Sequence, residues 1–398
     1  MLGQWAPYAS LFLVAFLVSY VMTPVARRVA WRLDAIDYPD PRRINRKPIP
    51  RMGGIAVFAG LMVAYFTQSF GYDFLGWPSL LESSPHLHIN YSMLALSFVI
   101  IFLTGLADDK WQLTPRQKLV GQFLSSIVAV AGGLVIGVIV NPLTDQLIDL
   151  GWLAYPLTVG YLVAYSNIIN LIDGLDGLAT GISCISSLTM FALSMMAGRL
   201  DAAALSISVA GATLAFLRYN FNPASIFLGD SGALLLGFAL GTVSLLSMTR
   251  IAGLTTIIVP LVIAGIPIID TFSAIVRRSR AHVSIGQADR GHIHHRLIAE
   301  GFDQRQAVLL MYSWTAILCV GSFAMTQVTV IPRIAIFAVL IAASASFAIH
   351  LRLFQPVLLH HYNPKTGNDE LIGPQDPAFE AEEAKLEEQL AEHLPHLP

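Results

Sequence analysis

The sequence predicts an all-α polytopic membrane protein with about eleven transmembrane helices. Three observations carry that prediction. Of the 398 residues, 55% are hydrophobic and 13% charged, about half the charged share of an ordinary soluble domain. The mean hydropathy is +0.63. Apolar runs of bilayer-spanning length recur along the chain, and the charges gather in the gaps between them. The net charge of −2 adds nothing to that distribution, and no nucleic-acid partner is expected.

In chain order the runs fall near residues 8–26, 52–70, 91–107, 117–140, 152–171, 178–197, 202–218, 230–248, 254–272, 309–326 and 332–352. Each matches the length of helix that crosses the hydrocarbon core, about 17 to 25 residues. The first has no basic stretch before it and no small-residue cleavage site, so it reads as a retained span. Small residues such as Gly132, Gly133 and Gly137 suit close helix packing in lipid. Cys184 and Cys319 lie inside apolar runs and read as packing residues, without a disulfide or zinc pattern. Residues 1–353 form one membrane domain and 354–398 an acidic tail. Within the tail, 377–394 read as a short amphipathic helix, with Phe379, Leu386, Leu390 and Leu394 set among glutamates, or as a solvated terminus.

Eleven crossings put the two termini on opposite sides. All but Arg199, Arg250 and Arg333 of the 24 basic residues then fall on one side. The positive-inside rule makes that side cytoplasmic, with the N-terminus outside and the C-terminus inside.

This orientation collects the chemistry-bearing residues on the cytoplasmic face. Asn167, Asn170, Asp173 and Asp176 recur every third residue up to Gly177, which predicts one slowly drifting helix face. Ionisable groups at a membrane edge are costly and usually functional. These four offer oxygens to a hard cation such as Mg2+ or to a polar head group. The plainer alternative is a helix C-cap at Gly174 and Gly177 with the polar groups solvated. Asp108 and Asp109 follow the third run. Adjacent carboxylates repel, which suits a general base beside a metal-organising partner; two solvated interfacial acids are the bland version. Asp230 opens the eighth run between Gly229 and Gly232, where a helix N-terminus favours its ionised form as a Mg2+ ligand or as an N-cap.

Asp289-Arg290-Gly291-His292-Ile293-His294-His295-Arg296 is a donor-rich loop segment. The histidines could hold a transition metal, but the flanking arginines favour phosphate. Arg43, Arg46, Lys47 and Arg51 read mainly as topology anchors, with Lys47 or Arg51 in reach of a phosphate at the membrane surface. Acids, a hard cation and phosphate-binding cations at a lipid boundary point to phosphoryl transfer between a nucleotide diphosphate and a lipid phosphate. A secondary transporter is the reading from a different class. It would place its acids near the midplane and show two related halves, and the sequence does neither.

The segments Lys47–Gly54, Asp108–Asp109, Asn167–Gly177, Gly229–Gly232 and Asp289–Arg296, in that order, resemble the signatures of the polyprenyl-phosphate N-acetylhexosamine-1-phosphate transferases, and within them the bacterial WecA/TagO branch. The resemblance spans about residues 8–350. It implies a multi-pass enzyme of the bacterial inner membrane that moves a sugar-1-phosphate from a UDP-N-acetylhexosamine to undecaprenyl phosphate, releasing UMP. It implies Mg2+, with Mn2+ as a substitute, held by Asn170 and Asp230. It implies that Asn167, Asp173 and Asp176 meet the nucleotide-sugar, with Asp176 near uracil. Asp108, beside Asp109, would activate the lipid phosphate for a one-step attack; a covalent intermediate on an Asp is the family's other proposal. His292, His294, His295 and Arg296 would close over the sugar and diphosphate. The Gly-His-Ile-His-His-Arg-Leu pattern looks like the GlcNAc-using branch, leaving UDP-GalNAc, UDP-FucNAc and UDP-MurNAc-pentapeptide as alternative donors. Gln112 stands where a third acid could, and it cannot ionise. The product would enter lipid-linked cell-surface polysaccharide synthesis, such as that of O-antigen. Family members also resemble homodimers.

Overall fold

A computed structural model describes residues 2–38, 47–79, 89–140, 147–247, 255–280, 291–354, 359–363, 368–372, 378 and 381–382. Among them, helices account for nearly all of the regular structure: α1 (Leu2–Arg32), α2 (Gly54–Leu75), α3 (Tyr91–Trp111), α4 (Pro115–Ala131), α5 (Ala154–Ile172), α6 (Leu178–Met196), α7 (Leu200–Asn220), α8 (Gly229–Ser247), α9 (Thr255–Ile263), α10 (Gly265–Arg280), α11 (Ile293–Ala299), α12 (Gln304–Gln327) and α13 (Val330–His350). Eight of these are long and apolar enough to cross a membrane: α1 from Trp5, α2, α3, α6, α7, α8, α12 and α13. The chain is therefore an all-α, multi-pass membrane protein.

The three remaining apolar runs also become helices, but of other kinds. The run 117–140 is helical only to Ala131. Its end turns through Gly132–Gly133 into strand β3 (Val138–Val140), which pairs antiparallel with β4 (Leu147–Asp149). The run 152–171 is α5, whose polar C-terminal turn lowers its hydropathy. The run 254–272 is broken at Ala264 into α9 and α10. Pro267 explains the break, because it has no N–H to give the carbonyl of Ile263. Two further hairpins are small: β1 (Ile36–Asp37) with β2 (Ile49–Pro50), and β5 (Leu359–Asn363) with β6 (Asn368–Ile372). The hairpin in the tail is absent from the sequence reading, and the expected helix 377–394 lies almost wholly outside the described residues.

α8 is the axis of the bundle. Helices α2, α3, α5, α6 and α7 all pack on it. In its spanning window 89% of residues are buried, against 11% for α13. Both helices are apolar all round, so hydropathy alone does not separate them. Close approach by neighbours does: at Gly105 of α3, a Cβ would stand 2.5 Å from the Asp230 carbonyl oxygen of α8. The exposed Val339, Ile341 and Ile349 of α13 instead form an outer, lipid-facing surface.

Candidate active site

The N-terminus of α8 is the fixed point of the site, and it is capped from another helix. Gly229 adopts a φ of +72°, and a Cβ there would lie 2.7 Å from the Asp109 carboxylate. That carboxylate, at the end of α3, accepts hydrogen bonds from the Asp230 N–H (2.8 Å), the Ser231 N–H (3.1 Å) and the Ser231 hydroxyl (2.5 Å). It thus satisfies donors that a helix start leaves orphaned and adds negative charge where the helix dipole is positive. Asp109 is 1% exposed, so its oxygens are committed to holding α8 in place.

The segment before α2 braces the same point. The Gly53 and Gly54 N–H groups donate to Phe227 and Leu228, and the Phe227 N–H donates to Pro50. Arg51 reaches across to the Asp109 carbonyl oxygen with Nε (3.2 Å) and Nη2 (3.0 Å). Lys47 is exposed nearby in the chain.

Four helices meet in front of this cap. Lys118, in the first turn of α4, places its ammonium 2.9 Å from Asp108 Oδ2 and 3.0 Å from Asn170 Oδ1, and it also pairs with Asp230. Asn170 Nδ2 donates to Asp230 Oδ1 at 2.7 Å. Asp108 Oδ1 accepts from the Leu113 N–H at 2.7 Å. One cation therefore serves two carboxylates and an amide from α3, α5 and α8. In the sequence Lys118 stands out only as one of the cytoplasmic-side charges that set topology. The signal was present: Thr114-Pro-Arg-Gln117 forms a capping box with Pro at the first helical position, which fixes Lys118 in the turn facing back toward Asp108.

The four evenly spaced polar residues do not share one helix face. α5 ends at Ile172, and Gly177 takes a φ of +79° before α6. The C-cap alternative holds only in that a helix ends here: the cap is Asp173, Gly177 opens α6, and Asp173 and Asp176 are buried instead of solvated. Asn167 makes a two-way amide pair with buried Gln122 (2.7 and 3.2 Å), away from the cage. Asp173 sits just past the helix end. Burial first, and then the charges of Asp230, Asp109 and Asp176, push its carboxyl well above the usual carboxylate range. Asp176 accepts from the Ala224 N–H (2.9 Å) and Asn222 Nδ2 (3.0 Å), pinning the loop between α7 and α8. Burial raises its pKa, and those two donors oppose the shift.

The histidines stand opposite, at the start of α11. His292 Nδ1 lies 2.8 Å from Asp270 Oδ2, and the Ile293 N–H donates to Asp270 Oδ1 at 2.7 Å. Asp270, on α10, anchors the segment and was not singled out from the sequence. A lone acid in the 254–272 run was the available signal. His292 and His294 are near-parallel with ring centroids 5.7 Å apart, and His295 tilts against His294 at 4.3 Å. His294 is 3% exposed and lies over Gly174, within 2.6 Å of where a Cβ would stand. Burial first, with a smaller contribution from His295, pushes its imidazole down to about 3. Its Nδ1 is buried with no hydrogen-bond partner among the described residues. Arg296 is half-buried, and Asp289 and Arg290 lie outside the described residues.

The arrangement is a partly exposed cluster of hard oxygen donors and one ammonium at the end of a membrane bundle, with a histidine segment packed against Gly174 beside it. Asp230 and Asn170 offer a carboxylate and an amide oxygen. Mg2+ takes one or two such protein ligands and completes its sphere with water and phosphate, so the donor set fits that ion. Among the described residues, no three His, Cys, Asp or Glu side chains cluster as a metal cage.

Comparison with known proteins bears on the same elements. The profile of glycosyl transferase family 4 matches residues 91–248, which carry α3 to α8 and therefore the Lys118 cage. The chain is 36% identical over 319 residues to the probable undecaprenyl-phosphate N-acetylglucosaminyl 1-phosphate transferase of Bacillus subtilis (strain 168), covering 80% of this chain and 85% of that relative. It is 32% identical over 357 residues to the decaprenyl-phosphate N-acetylglucosaminephosphotransferase of Mycobacterium tuberculosis (strain CDC 1551 / Oshkosh), covering 80% and 83%. A phospho-N-acetylmuramoyl-pentapeptide-transferase of Halalkalibacterium halodurans is 29% identical over 270 residues, or 67% of this chain.

Proposed function

Because the chain belongs to the glycosyl transferase family 4 group of polyprenyl-phosphate N-acetylglucosamine-1-phosphate transferases, we propose that it transfers N-acetylglucosamine-1-phosphate from UDP-GlcNAc to undecaprenyl phosphate and releases UMP. The observation that carries the reading is the cage in which Asp108, Asn170 and Asp230 converge on Lys118 beside the capped start of α8. In this reading the reaction takes place at the cytoplasmic face of the inner membrane, and α4, α5 and the α9–α10 pair add three crossings to the eight long helices, which puts the N-terminus outside and the C-terminus inside. The product feeds a lipid-linked cell-surface polysaccharide.

A phosphate oxygen of the lipid attacks the β-phosphorus of the sugar nucleotide. The new P–O bond forms as the bond from that phosphorus to the bridging oxygen breaks, and the electron pair leaves with UMP. Such transfers are catalysed mainly by positioning and charge neutralisation. Asp108 orients the incoming phosphate through Lys118 and takes its remaining proton. Lys118 supplies fixed positive charge to the phosphates. Asp230 and Asn170 would hold Mg2+, which screens the diphosphate charge when bound. Asp109 and Arg51 act as positioning residues by fixing the start of α8. His292, held by Asp270, and His295 donate to the diphosphate, while neutral His294 packs the wall they stand on.

The test is UMP release by purified protein in detergent with undecaprenyl phosphate and Mg2+, offered UDP-GlcNAc, UDP-GalNAc or UDP-MurNAc-pentapeptide separately. Release from UDP-GlcNAc is expected. Release only from the pentapeptide substrate would overturn the donor assignment, and none from any donor in folded protein would overturn the activity.

A further inference from the structure

A cavity opens beside the same end of the bundle, between the last turns of α1 and the stretch 219–226 that leads into α8. Its volume is about 370 Å³, within the usual range of small-molecule sites. Arg27, Arg28, Trp31, Tyr219 and Ser225 line it. Both arginines are exposed, and no acid pairs with either among the described residues. Three less exposed cations are treated differently. Lys118, Arg199 and Arg277 each make several polar contacts within the protein. The guanidinium groups at this cavity thus have donors left for an external acceptor.

The rest of the lining fits an amphiphile. Trp31 is 47% exposed at the end of α1, and Trp and Tyr favour the level of lipid head groups, with an apolar body and a polar tip. The far side is firm. The Ser225 N–H (2.9 Å) and hydroxyl (3.0 Å) both donate to the Tyr219 carbonyl, closing the turn. The Thr23 hydroxyl is spent on the Ser19 carbonyl at 2.7 Å, and the lining residues include no acid to oppose an anion. Two guanidinium groups, an aromatic rim and an apolar floor at a membrane boundary recognise a phosphate carried on a hydrophobic chain.

We propose that this cavity binds the phosphate head group of a lipid, at a place separate from the Lys118 cage. The site is tied to the cage through the backbone. Ser225 and Ile226 lead directly into Phe227 and Leu228, which pair with Pro50, Gly53 and Gly54 and deliver Gly229 to the Asp109 cap. A bound head group braces the loop on which α8 starts. Two sources share the chemistry: a phosphodiester of the bilayer, or the phosphomonoester of a polyprenyl carrier.

Native mass spectrometry of the full-length protein in detergent, without any sugar nucleotide, tests this. Phosphatidylglycerol, decaprenyl phosphate and phosphatidylcholine are titrated in turn. The wild type retains one anionic lipid more than the double variant Arg27→Ala, Arg28→Ala. The variant's apparent affinity for that lipid falls about 30-fold, the worth of two basic contacts at a membrane surface. Arg32→Ala, an exposed arginine of the same helix end outside the cavity, leaves the lipid bound. Tighter retention of phosphatidylglycerol assigns a bilayer lipid, and tighter retention of decaprenyl phosphate assigns the carrier. Equal retention by wild type and double variant, equal loss in Arg32→Ala, or equal binding of phosphatidylcholine overturns the proposal. The readout is binding, so its failure leaves the transferase reading standing.

Discussion

Two acid–base groups sit at opposite ends of the same bundle, and they are built on different principles. At the end of α3 away from the cage, Arg199 forks onto Asp201 with Nε–Oδ1 at 3.2 Å and Nη2–Oδ2 at 2.9 Å. Tyr91 adds a third bond to Asp201 Oδ2 at 3.0 Å. The pair is two residues apart and closed, with both side chains under 10% exposed. At the other end Lys118 is divided among Asp108, Asp230 and Asn170, drawn from three further helices, while Asp173 waits nearby with no hydrogen-bond donor among the described residues. The first group balances one charge with one charge and does so locally. The second gathers more carboxyl groups than cations, and the fold meets that surplus by pushing the buried Asp173 toward its protonated form. A closed local pair needs no such adjustment, and a crowded acidic group that does is what distinguishes the candidate site from it.

The largest expected effect comes from Asp230→Asn, which lowers UMP-forming turnover by about 10³-fold, the scale of losing a charge-stabilising group. The same change relieves repulsion, so the melting temperature in detergent holds or rises. Loss of folding would instead make the cage a structural device like the Arg199 pair. Arg199→Met is the mirror experiment. It strands Asp201 and costs about 3 kcal/mol of stability, seen as a lower melting temperature, while kcat of the surviving folded protein is unchanged. A selective drop in kcat there would erase the distinction between the two ends.

Asp108→Asn sharpens the comparison within the cage. It lowers kcat about 10²-fold with little change in UDP-sugar binding by calorimetry, because its partner is the lipid phosphate. Abolished UDP-sugar binding would remove that role. The smallest effect is on pH. His294 titrates near 3 when folded and near its ordinary 6.5 when unfolded. The unfolded chain therefore binds the extra proton between those values. His294's contribution is fully present above pH 6.5 and is lost as pH falls, by about 1 kcal/mol at pH 5.5. Thermal melts of His294→Gln should lack that part of the acid slope; an unchanged slope would mean that another group carries it.

Much of the site was legible because it uses residue types that have no ordinary reason to stand at a membrane edge. Asp108, Asn170 and Asp230 were all visible for that reason, and the structure joins them. Lys118 was not, since a lysine beside a span has a sufficient explanation as a topology anchor. Asp109 was visible as half of an acidic pair, yet its partner is not Asp108. It is the start of α8, 121 residues away in sequence. Asn167 and Asp176 followed the same spacing as Asn170 but ended elsewhere: Asn167, one turn earlier on α5, pairs with Gln122 of α4, and Asp176 reaches Asn222–Ala224 because the helix stops at Ile172 and the period stops with it.

The sequence by itself determined that the chain is a multi-pass helical membrane protein with its acids at span ends. Hydropathy and charge are properties of single residues that the solvent reads directly, as water or as lipid. Only the tertiary structure decided which apolar helix is the axis and which faces outward, which carboxylate caps and which stays open, and that one ammonium serves three acceptors. Those outcomes depend on distances between helices, set by small residues such as Gly105 and by backbone angles such as that of Gly229, and no local pattern encodes a distance.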